Sequence, residues 1–158
     1  IGGALLLLVV IILLYRYFRK KKQLLPAKSV SSLSPFDEAM EELKKLNQLN
    51  LQDAAEIKIY HIMLSAVFKN YLGRKHSKNL MHETTGDLLV SVGGNNMPQE
   101  DISKLATALR CTDAVKFAKY LPLSNESEDC LQKIKDIITL TEQQTTNDKR
   151  QTINLFCF

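Results

Sequence analysis

Three hydrophobic patterns divide this chain. Residues 1–18 are almost continuously apolar, residues 19–34 are basic and then serine-rich, and from Pro35 apolar positions recur three and four residues apart. The last spacing marks one face of an α-helix, and no stretch alternates with the period of a strand. Ser34, Pro35 and Asp37 supply a cap hydroxyl, a first helical residue and an acid for a helix over about 35–50. Its inward stripe is Phe36, Met40 and Leu43, flanked by Ala39 and Leu46.

A longer helix is predicted from Asp53 to about Leu72, with Gly73 ending it. Tyr60, Leu64, Val67 and Tyr71 form one apolar row, and Ala55, Ile59, Ile62 and Ala66 a second. Two adjoining rows predict a wide buried arc and a central position. Thr84 and Asp87 form a capping box ahead of a short helix that Gly93 and Gly94 stop. Pro98, Glu100 and Asp101 open the next helix, which buries Ile102, Leu105, Ala106 and Leu109. Thr112 or Asp113 then caps another, carrying Ala114, Phe117, Ala118 and Leu121 until Pro122 stops it. After the cap-rich segment 124–129, a last helix turns Leu131, Ile134, Ile137 and Ile138 inward, and the chain is expected to fray from Thr145.

The fold expected is therefore all-α. It comprises a single N-terminal transmembrane helix at 1–18, a basic collar and flexible linker at 19–34, a bundle of about six helices at 35–143, and a disordered tail at 144–158. Eighteen helical residues span about 27 Å, close to the hydrocarbon thickness of a bilayer. Tyr15 and Tyr17 stand where aromatic rings favour the headgroup layer, and Arg16, Arg19, Lys20, Lys21 and Lys22 add the cationic stop. These seven residues are the expected membrane-interface anchors. A signal peptide would carry its charges before the apolar run rather than after it. Positive charge on the inner side places the bundle in the cytoplasm beneath the inner membrane, as part of a single-pass protein in contact with membrane lipid.

Charge changes one conclusion. The net charge is +4, yet six of the 21 basic residues and none of the 17 acidic ones precede residue 30. From residue 31 onward the balance is −2, so a nucleic-acid-binding domain, which would carry positive charge on its folded part, is disfavoured.

Reactive chemistry is sparse. Cys111, Cys130 and Cys157 are odd in number and widely separated, as suits reduced core cysteines, and no Cys-x-x-Cys pair suggests zinc. His61 sits in the central helix, while His76 and His82 lie in a connector, six residues apart and so not on one helical face. Both patterns favour surface or half-buried histidines over a metal site. Phosphate-binding, dinucleotide, nucleophile-elbow and zinc-protease motifs are absent. The residues suggest no catalytic group, cofactor or small-molecule substrate.

Two segments resemble a known family. Phe68 to Arg74 followed by Thr84 to Leu89, and Asp113 to Lys119 with Pro122 after it, are similar to signatures of BatD-like, Bat-type bacterial membrane proteins. The likeness spans about residues 35–142 and departs from the family pattern at His76, Ser77, His82 and Ala114. These proteins are encoded beside a MoxR-type AAA+ ATPase and von Willebrand factor A proteins. The resemblance implies a non-enzymatic, membrane-anchored interaction module serving such a system in aerotolerance, envelope stress or complex maturation. The alternative is a membrane-anchored regulator of anti-sigma type that sequesters a transcription factor.

Val115, Phe117 and Ala118 cannot all face one way on a short helix. The segment is thus either buried on two sides or partly exposed for a partner. Lys116 and Lys119, three apart, are expected to share a face, and with Phe117 they make the candidate partner surface.

Overall fold

The computed structural model describes residues 32–94 and 97–155, with side chains as far as residue 146. The expected transmembrane span, its interface anchors from Tyr15 to Lys22, and Cys157 lie outside the described residues. Among those described, the fold is all-helical, and no helix is long and apolar enough to cross a membrane.

Among the described residues five helices follow one another: α1 (Pro35–Leu46), α2 (Ala54–Lys75), α3 (Thr85–Gly93), α4 (Gln99–Phe117) and α5 (Ser124–Leu155). Local chemistry starts them as the sequence predicts. The Ser34 and Asp53 side chains accept from the backbone N–H groups of Asp37 and Glu56, at 3.0 Å each. At α3 the Thr84 hydroxyl accepts from the Asp87 N–H while the Asp87 carboxylate accepts from the Thr84 N–H, both at 3.2 Å. The hydroxyl and N–H of Thr84 hold the Asp87 carboxyl below its usual pKa. Replacing Thr84 with alanine is expected to lower stability by about 1 kcal/mol in urea denaturation, because the first turn of α3 loses its acceptor.

Helix α2 is central, packing against α1, α4 and α5, while α3 packs on α4. Its row Tyr60, Leu64, Val67 and Tyr71 is buried as predicted, but the second predicted row is not. Ile59 and Ile62 are exposed, and the buried arc widens toward Ile57, His61, Ser65, Phe68 and Leu72 instead. Apolar spacing alone could not select that side. Two polar residues are buried there because neighbouring helices supply their partners.

The helix boundaries also differ from expectation in three places. Gly73 lies inside α2, which continues to Lys75. A Cβ at this position would stand 2.7 Å from the Lys78 carbonyl oxygen, so the glycine lets the following chain fold back on the helix. Residues 99–117 form one helix rather than two, reducing six expected helices to five. Thr112 and Asp113 cap nothing: the buried Thr112 hydroxyl donates to the Leu109 carbonyl at 2.7 Å, and Asp113 accepts from Thr85 across the α3–α4 contact. Helix α5 runs on to Leu155, past the fraying expected from Thr145.

The core draws on every helix: Leu43 and Leu46, Tyr60 to Leu72, Leu88 and Val92, Leu105 and Leu109, then Leu131, Ile134, Ile137 and Ile138. Two ion pairs tie the end of α2 to its neighbours. Arg74 pairs with the buried Glu38 of α1, and Lys75 reaches Glu142 of α5 at 2.8 Å.

Candidate protein-docking surface

The chain between α4 and α5 turns apolar side chains outward. Helix α4 stops at Phe117, where the N–H groups of Ala118 and Tyr120 both point to the Ala114 carbonyl, at 2.9 and 3.3 Å. Lys119 takes the left-handed conformation that ends helices, with φ 57°, a site usually given to glycine. Pro122 does not stop the helix, which has ended five residues earlier; it is buried and pins the turn. The Glu126 carboxylate accepts from the Leu123 N–H at 2.8 Å and from the Tyr120 hydroxyl at 3.1 Å, bracing the start of α5.

On this braced turn Phe117 is 80% exposed, Leu123 69% and Leu121 57%, with Tyr120 beside them. Isolated exposed apolar residues are ordinary, whereas several large ones on one short rigid turn form a patch. Burial of Phe117 and Leu121 at helical spacing does not occur, because α4 ends before Leu121 and turns Phe117 away from the core. Val115 takes the inward position in their place.

The two lysines of the expected surface separate. Lys116 is drawn inward: its ammonium bonds Asp113 at 3.1 Å and the Ser65 hydroxyl of α2 at 3.3 Å, and sits 5.2 Å from the centre of the Phe117 ring. It ties α4 to α2 and steadies the ring. Lys119, beyond the helix end, shares no helical face with it. The surface is thus carried by Phe117, Tyr120, Leu121 and Leu123 rather than by a lysine pair. Tyr120, Leu121 and Leu123 escaped the sequence reading because only the early end of α4 exposes them. Ile59 and Ile62 on α2 are also exposed.

Behind the turn lies a small buried polar cluster. His61 is fully buried, not half-buried, and its Nε2 stands 3.1 Å from the Ser127 hydroxyl, which is buried too. The Tyr60 hydroxyl donates to the Ser127 carbonyl at 3.2 Å, and the Tyr60 and His61 rings meet edge to face. Burial first, and then Lys116, push the His61 imidazole down to about 4, while burial raises the Tyr60 phenol. Cys130 lies one turn after Ser127 on α5 and is buried among the core residues. No sequence signal linked His61 to Ser127, 66 residues apart.

Among the described residues no three His, Cys, Asp or Glu side chains converge on a point where they could hold a metal ion. His76 closes α2 and His82 stands apart in the exposed connector. An open cleft of about 610 Å3 between the α1–α2 connection and α5 is lined by Asn50, Gln52, Ser124, Glu128 and Lys135 among others. His61 is not part of its wall. Set against known proteins, the chain matches no family model, no curated protein and no solved structure.

Proposed function

We propose that this chain is a non-enzymatic, membrane-anchored interaction module. The apolar run 1–18 and its basic collar hold it at the inner membrane, and the helical unit docks a protein partner on the cytoplasmic side. The sequence resemblance points to a MoxR-type AAA+ ATPase or a von Willebrand factor A protein as that partner, in aerotolerance, envelope stress or complex maturation. The observation that carries the docking role is the braced turn with Phe117, Leu121 and Leu123 turned outward. Aromatic and aliphatic anchors held rigidly lose little freedom on binding, which is how a few residues come to dominate an interface.

Affinity capture from detergent-solubilised membranes tests this reading. The unaltered chain is expected to retain the ATPase or a von Willebrand factor A protein. A variant carrying Phe117→Ser and Leu121→Ser should lose it, with an unfolding free energy within about 0.5 kcal/mol per substitution of the unaltered chain, as for other exposed positions. Consistent absence of both partners, or equal recovery with the variant, would overturn the proposal.

A further inference from the structure

The end of α2 and the connector after it enclose an open cleft of about 360 Å3, lined by Lys69, Asn70, Arg74, Ser77, Lys78 and Asn79 among others. Among the described residues no carboxylate lines it. Lys69, Asn70 and Arg74 share one flank of the last turns of α2. The connector folds back beside them because Gly73 has no side chain, and the Lys78 N–H donates to the Gly73 carbonyl at 2.8 Å. Lys69 is held by backbone rather than by an acid, its ammonium donating to the carbonyls of Met81, at 3.4 Å, and Glu83. Arg74 is fixed between the Glu38 carboxylate, which answers its charge, and the Leu33 carbonyl at 3.0 Å. Lys78 is exposed. Lys69 and Lys78 thus give the cleft a positive charge that its own wall does not neutralise. The geometry points to a binding site for a phosphate monoester group, held by Lys69 and Lys78 together with the hydroxyl of Ser77 and the amides of Asn70 and Asn79.

A phosphate monoester carries a charge of about −1.5 to −2 at neutral pH and three strong acceptor oxygens. Two ammonium groups match that charge, and the hydroxyl and amide donors match the number of oxygens. The Asn79 Oδ1 accepts from the Met81 N–H at 3.2 Å, which orients the amide and leaves its NH2 group to donate. Ser77 follows α2 with a left-handed backbone, φ 52°, where glycine is the usual residue. A serine there bears backbone strain and adds a side chain to the wall of the cleft. Carbonyls at the end of a helix repel an anion, but those of Leu72, Gly73 and Arg74 already accept from the N–H groups of His76, Lys78 and Ser77. The local field has the matching sign. Burial, and then the Lys116 charge, lower the pKa of the Lys69 ammonium, with Asp113 and Glu83 offsetting part of the fall. Burial, and then Lys75 and Lys78, lower that of the His76 imidazole. A bound dianion relieves this repulsion among cations.

No residue of the exposed turn between α4 and α5 lines this cleft, so the site and the docking proposal stand or fall separately. The experiment uses the full chain in phosphatidylcholine nanodiscs, titrated calorimetrically with inorganic phosphate at low salt. Saturable binding at one site is expected. Lys69→Gln and Lys78→Gln should each weaken it about tenfold, the effect of losing one hydrogen bond from a charged donor. Ser77→Gly should also weaken it while the melting temperature holds or rises, a pair of results that a purely structural serine would not give. Lys20→Gln with Lys21→Gln, in the basic collar, should leave the affinity unchanged. Should Lys69→Gln not fold, the exposed Lys78→Gln decides. Discs that also hold phosphatidic acid identify the source of the group, with phosphatidylglycerol discs of equal charge as the reference. Weaker uptake of free phosphate in the phosphatidic acid discs supports a lipid headgroup in the cleft, and equal uptake supports a soluble phosphate. Absence of saturable phosphate binding, or an affinity that neither lysine substitution alters, would overturn the proposal.

Discussion

Truncating Phe68 to alanine is expected to lower the unfolding free energy by about 3–5 kcal/mol, read from urea denaturation at neutral pH. Phe68 has no solvent exposure and lies midway along the helix that touches α1, α4 and α5. Removing its ring deletes the dispersion contacts of a whole aromatic side chain and leaves a void that helices packed on several sides cannot close. A domain of this size has a total stability on the order of 5–15 kcal/mol, so the variant should be largely unfolded or close to it. Phe68→Leu, which keeps most of the volume, should retain a cooperative transition with a smaller loss. Phe117 is the internal control, because the same ring at an exposed position adds almost nothing to the core. A loss below about 1 kcal/mol at Phe68 would mean that the core is not organised around α2.

Acidification from pH 7 to pH 5 should destabilise the protein by about 2 kcal/mol through His61 alone. The neutral imidazole fits its site: Nε2 shares a hydrogen bond with the Ser127 hydroxyl, and with the proton on Nε2 the Nδ1 atom, which has no partner among the described residues, presents only a lone pair. Protonation would place an N–H there, buried and without an acceptor, near the Lys116 charge. The folded-state pKa is about 4 against an ordinary 6.5. The unfolded chain therefore takes up a proton across this window while the folded chain resists it. Stability is at its full value above pH 6.5 and falls as the pH drops toward 4. His76, lowered chiefly by its partial burial, adds a slope of the same sign. His61→Gln, which keeps a polar group for Ser127, should flatten most of the change in urea midpoint between pH 7 and pH 5. An unaltered slope in that variant would assign the acid sensitivity to other groups.

The exposed turn between α4 and α5 shows how far a linear pattern reaches into tertiary structure. Lys116, Phe117 and Lys119 were legible as a candidate surface because three apolar residues in a short stretch cannot share one face. The reading of a lysine pair failed because helical spacing holds only inside a helix, and Lys119 lies past its end with a left-handed backbone. Ser65 and Asp113 claim Lys116 from two helices, a fact invisible to i, i+3 counting. The His61–Ser127 contact was equally hidden, since two residues 66 positions apart carry no mark of facing one another.

What the sequence determined by itself was local: the all-helical class, the helix starts at Ser34, Asp53 and Thr84, and single inward rows such as Tyr60, Leu64, Val67 and Tyr71. These depend on interactions within one turn, where the number of residues between two groups sets their distance. Tertiary structure alone decided which flank of α2 is covered, that residues 99–117 run as one helix, and that His61 and Ser127 lie together. Each of those outcomes depends on a partner dozens of residues away, whose position is set by the packing of all the helices at once.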